Sequence, residues 1–179
     1  NGTTDYIEFQ TKENIGASQE GFSISAWINT TNNTAPAYQM IYTARDTAAA
    51  SGWNWNVDYG MYFGFFSQTG RLVFKFSHES SSSPSTSEIK LNAGTELNNN
   101  TWYHVALIAT YNVPPYTGGL ELKIYIDGVE TPSTVREGVA AVTPPAVLGW
   151  NIPNKARNNY IGRSFNTTDP YFSGQIKNF

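Results

Sequence analysis

The residues best suited to binding chemistry lie in Ser51-Gly52-Trp53-Asn54-Trp55-Asn56-Val57-Asp58-Tyr59, where Trp53 and Trp55 share one parity beside two asparagines. Sugars present C–H faces that pack on indole and phenol rings, and hydroxyls that pair with side-chain amides. Trp53, Asn54, Trp55 and Tyr59 are therefore the candidate ligand-binding residues. They follow a long connection, Asp46–Gly52, and long loops on rigid scaffolds commonly carry function. A competing reading makes Trp53 and Trp55 inward residues of a strand that plug one end of the core. Trp150, after Pro144-Pro145, is a second and weaker candidate.

Catalytic patterns are missing. Glycoside hydrolysis needs two carboxylates about 5–5.5 Å apart for retention, or about 6.5–9.5 Å for inversion. Glu79 and Glu88 are split by a serine-rich stretch, and Asp127 precedes a glycine in a turn signal. Glu121 shares parity with Asp127, but an extended strand would hold the two about 20 Å apart. Neither the E-x-D-x-x-E order nor a G-x-S-x-G nucleophile turn occurs. His104 sits within a strand-like run, and His78 precedes the serine-rich stretch. There is no cysteine for a thiolate nucleophile or metal site. The expectation is no catalytic residue and no enzyme.

Charge narrows the partners. Of 179 residues, 14% are charged and the net charge is −3, against roughly 25% charged in an average soluble domain. Without a basic cluster there is no footprint for nucleic acid. No apolar run of about 18 residues suggests membrane insertion. Sequons begin at Asn1, Asn29, Asn32, Asn99 and Asn166, which suits a secreted chain. A start at Asn1 without methionine suggests a processed or excised piece.

Strands must position these residues. Phe22, Ile24, Ala26 and Ile28 alternate with Ser23, Ser25 and Trp27; Tyr103, Val105, Leu107 and Ala109 form another face; Leu122, Ile124 and Ile126 a third. Period-2 alternation marks half-buried strands. Asp127-Gly128 is a two-residue hairpin signal that favours a type I′ turn. Thr43–Ala50 is the best helical stretch, at most a turn or two. Trp27 has the parity opposite to its apolar neighbours and must be covered or face a ligand. Trp102 is expected in the core. Two face-to-face antiparallel sheets follow, with less than about a tenth of residues helical.

Four stretches in order carry a resemblance: Asn1–Phe9, then Phe22-Ser23-Ile24-Ser25-Ala26-Trp27-Ile28, then Trp102-Tyr103-His104-Val105-Ala106-Leu107 with Ile124-Tyr125-Ile126-Asp127-Gly128, then Tyr160-Ile161-Gly162-Arg163 with Phe172–Phe179. Together they resemble the laminin G-like branch of the concanavalin A-like lectin domains. The resemblance implies an all-β jelly-roll sandwich over residues 1–179, with first and last strands as neighbours. Its pattern normally runs a few residues past Phe179, implying a longer parent protein. It also implies calcium at one rim, with Asp46 as ligand in the loop after Met40-Ile41-Tyr42. The loop after Ile161-Gly162 would supply the rest, but reads Arg163-Ser164-Phe165-Asn166-Thr167-Thr168-Asp169, with one carboxylate beside an arginine. The expected function is a non-catalytic recognition module of a cell, secreted or virion surface protein. It would bind glycan or a surface protein, in many copies through its parent. The alternative is a structural or decoration module of a virion or appendage.

Overall fold

The computed structural model describes residues 5–11, 22–35, 38–46, 60–65, 69–77, 88–111, 120–137, 140–142, 157–164 and 169–179. Within them, strands form two antiparallel sheets. The larger runs, in spatial order, β1 (Ile7–Thr11), β12 (Arg157–Ile161), β3 (Gln39–Asp46), β4 (Gly60–Phe65), β5 (Arg71–Ser77), β6 (Glu88–Glu96), β10 (Ser133–Glu137) and β11 (Ala140–Val142). The smaller runs β13 (Gly174–Lys177), β2 (Phe22–Thr30), β7 (Trp102–Tyr111), β8 (Leu120–Ile126) and β9 (Val129–Glu130). No helix occurs among the described residues. This is the all-β, jelly-roll-type sandwich that the alternation predicts.

The apolar parity of each strand builds the core. Ala26 pairs with Val105 and Val105 with Ile126, while Ile24 pairs with Leu107 and Leu107 with Ile124. These side chains meet Met61, Phe63, Leu72, Phe74 and Leu91 of the larger sheet in one buried cluster. The Phe22 and Phe74 rings, 6.4 Å apart, join the two layers.

The turn after β8 behaves as its sequence requires. Asp127 and Gly128 take φ of 50° and 79°, the positive values of a type I′ turn. The Asp127 carboxylate accepts the His104 backbone N–H at 2.8 Å, and its own N–H donates to the His104 carbonyl at 2.7 Å. A side chain at Gly128 would meet nothing within 4 Å, so Gly128→Val should cost only the left-handed backbone penalty, about 1–2 kcal/mol. Urea unfolding checks this; an unchanged midpoint would show that the turn tolerates valine.

Two expectations are corrected. Of the stretch Thr43–Ala50, Thr43–Asp46 is not helical but completes β3, paired with β4 on one side and β12 on the other, and Thr47–Ala50 lie outside the described residues. Sheet pairing on both flanks satisfies the backbone that a short helix would leave half unbonded. Trp102 is not core: it pairs with Asn29 and lies half-buried on the outer face of the smaller sheet. The first and last strands are neighbours across the two sheets, lining one cleft without sharing a ladder. β1 pairs with β12 and β13 with β2, so each edges a different sheet. Residues of both line a cleft of about 630 Å³, including Tyr6, Ile161, Phe172, Ile176 and Phe179.

Candidate functional site

The outward parity of the smaller sheet concentrates its aromatic side chains. Register places Lys177, Trp27 and His104 in one transverse row, Gln175, Asn29 and Trp102 in the next, and Ser25, Ala106, Tyr125 and Glu130 in a third. Trp27 is 41% exposed, and its ring lies 5.4 Å from that of His104. The Lys177 ammonium sits 4.3 Å from the centre of the Trp102 ring, a cation–π contact that fixes the lysine over the indole. Ser25 and Ala106, the short side chains of the row beside it, leave Trp27 partly open to solvent. An exposed indole among serine, asparagine and glutamine can offer stacking and hydrogen bonds together.

Carboxylates lie at the far side of this face. The Lys123 ammonium stands 3.1 Å from Glu121 and 4.0 Å from Glu130, and the hydrogen bond to Glu121 raises the lysine above its usual range. Surface pairs of this kind add about 0–1 kcal/mol.

A second group forms where β1 meets β12. Glu8 pairs with Tyr160 in the register, and the Tyr160 hydroxyl donates to Glu8 Oε1 at 3.1 Å. The Arg163 guanidinium carbon lies 4.6 Å from the Tyr6 ring centre and 4.7 Å from that of Tyr160. Burial raises the Tyr160 phenol above its usual range, Glu8 adds to this, and Arg163 opposes it. Because the folded-state value exceeds the ordinary 10.0, the protonated phenol's contribution is full below pH 10 and lost as pH rises through the folded value. Tyr160→Phe should therefore delete a late step from the tyrosine absorbance titration and lessen the loss of stability above pH 10. A titration curve of unchanged shape would contradict that assignment.

The sequence profile of the Concanavalin A-like lectin/glucanases superfamily, in its laminin G-like form, matches residues 1–179. The chain belongs to this superfamily. No curated protein matches the chain as a closer relative.

For a member of a superfamily of sugar-holding lectins and sugar-cleaving glucanases, the placement of each candidate residue matters. Trp53, Asn54, Trp55, Tyr59, Trp150 and His78 lie outside the described residues. Asp46 is the last residue of β3 rather than a loop residue, with its backbone opposite Arg157; its side chain is outside the description. Asp169 is half-buried on the loop that follows Gly162. Calcium takes about six to eight oxygen ligands. Among the described residues no three His, Asp or Glu side chains come together to hold a metal.

The exposure of Trp27 was readable from its parity. The same parity puts Trp102 on the outer face beside His104 and Ala106, and that signal outranks its aromatic type. The Tyr6–Arg163–Tyr160 group joins residues more than a hundred positions apart, and no local pattern announces it.

Proposed function

We propose that this chain is a non-catalytic recognition module that holds glycan on the outer face of its smaller sheet. The carrying observation is Trp27, 41% exposed beside the short Ser25 and Ala106, with Trp102 and Lys177 in neighbouring rows. Stacking on an indole tolerates many sugars, so a monosaccharide should bind in the millimolar range, about −4 kcal/mol. Presentation in many copies by a parent protein at a cell or particle surface would raise this by effective concentration. A glycan array should yield binders whose signal falls at least about tenfold in Trp27→Ala, with the melting temperature nearly kept, since the ring lies on the outer face and is no part of the buried core. A blank array, or binding unchanged by Trp27→Ala, would sink this face and leave a protein partner or an assembly role.

Trp53, Asn54, Trp55 and Tyr59 are proposed as a separate contact by their residue types alone. Trp53→Ala and Trp55→Ala should then lower binding without unfolding the domain; unfolding would identify both rings as core. A calcium contribution through Asp46 is likewise a proposal. Millimolar calcium should raise the melting temperature, and Asp46→Asn should cancel that rise. No stabilisation by calcium would remove Asp46 from the site.

A further inference from the structure

We propose that His104 gates the exposed Trp27 ring: as the imidazole takes up a proton, it caps the indole and weakens the stacking of neutral sugars. The ligand half of this rests on the glycan reading of the smaller sheet's outer face, and the gate itself rests on how the two rings sit. Trp27 and His104 are register partners on β2 and β7, with ring centres 5.4 Å apart and planes tilted by 54°. That separation lies within the reach of about 6 Å over which a cation is drawn to an indole face. Neutral imidazole carries one donor and one acceptor, whereas imidazolium carries two donors and a charge. The neutral ring can therefore pair with a sugar hydroxyl in either direction, beside the stacked C–H face. The cation loses the acceptor and gains an attraction to the same indole that the sugar needs. Histidine is the side chain that makes this change between about pH 5 and 8.

The groups around the pair leave this coupling in place. On the other flank of Trp27, Lys177 shares the transverse row, but its ammonium is taken up over the Trp102 ring, 4.3 Å from its centre. The Asp127 carboxylate accepts the His104 backbone N–H at 2.8 Å, which ties it to the main chain beside the imidazole. Tyr125 and Glu130 belong to the next row, with Ala106, and Lys123 to the row beyond, opposite Ile108. Ser25, Asn29 and Ala106 are the nearest outward neighbours on β2 and β7, and none of these residue types ionises. Trp27 is 41% exposed and His104 half-buried, so solvent, a proton and a sugar can all reach the pair.

The test reads the ring with and without a ligand, at about pH 7.5 and about pH 5, on either side of the imidazole range. Acrylamide, a small neutral quencher, reports how open Trp27 is. Its signal is taken as the difference between the wild type and Trp27→Phe, since the chain has five tryptophans. Quenching of Trp27 should fall at the lower pH. The neutral members of a glycan array should lose about two- to fivefold in affinity over the same step, the factor set by an exposed cation–π contact that the sugar must displace. His104→Gln, uncharged at both pH values and still a donor and an acceptor, should abolish both changes. Lys177→Gln, which removes a cation from the same row, should leave both in place. If His104→Gln unfolds, the wild-type pH dependence of Trp27 quenching, set against Trp27→Phe, decides alone. Quenching of Trp27 that ignores pH, an equal pH response in His104→Gln, or neutral glycans bound equally at the two pH values would each overturn the gate. A blank array at both pH values, with quenching that still falls at the lower one, would instead sink the glycan reading and leave the gate on Trp27 standing.

Discussion

Phe74→Ala is expected to destabilise the domain by about 3–5 kcal/mol, the range for emptying a buried aromatic site. The Phe74 ring is 1% exposed and lies where the two sheets meet, 6.4 Å from the Phe22 ring of the opposite layer. Its strand pairs on both sides, Phe74 with Phe63 and with Leu91, so the neighbouring backbone cannot collapse into the space. Ile124→Ala, on the facing sheet and fully buried, should cost about 2–5 kcal/mol by the same mechanism. Equilibrium urea unfolding measures both. Midpoints within error of the wild type would mean that the sheets do not pack through these residues.

Gly174→Ala is expected to cost about 3 kcal/mol or more through the backbone alone. Gly174 has φ of 152°, and a Cβ there would sit 2.0 Å from the Asn29 carbonyl oxygen and 2.8 Å from the Thr30 Cα. Both are backbone atoms of the neighbouring strand, so no rotamer change relieves the collision. Overpacking costs about 1–3 kcal/mol and a strained backbone a similar amount. The consequence reaches the outer face, because β13 carries Lys177, whose ammonium lies over Trp102. The variant should therefore lose stability and glycan binding together, whereas Trp27→Ala should lose binding alone. Thermal unfolding beside the array separates the two outcomes; a Gly174→Ala domain with wild-type stability would show that β13 is not held against β2.

Particular residues show why some features were legible and others were not. Parity along Phe22–Thr30 placed Ala26 and Ile28 inside and Trp27 outside, because a strand turns successive side chains to opposite faces. Asp127-Gly128 was legible because few residues adopt two successive positive φ values. The first half of Thr43–Ala50 was misread as helical because its local propensity is weak and its two strand partners, β4 and β12, lie elsewhere in the chain. Gly174 gave no warning either, since its need for a bare backbone comes from the Asn29 carbonyl pressed against it.

Alternation and turn residues were enough to determine an all-β sandwich. Those properties are local or summed along the chain, so the sequence carries them directly. Which side chains share a surface was decided only by strand order. β2 stands between β13 and β7, which brings Lys177, Trp27 and His104 into one row, and β1 stands beside β12, which brings Tyr6 and Tyr160 around Arg163. Pairing strands far apart in sequence is a collective outcome of burying both apolar faces against each other, and no residue specifies it alone.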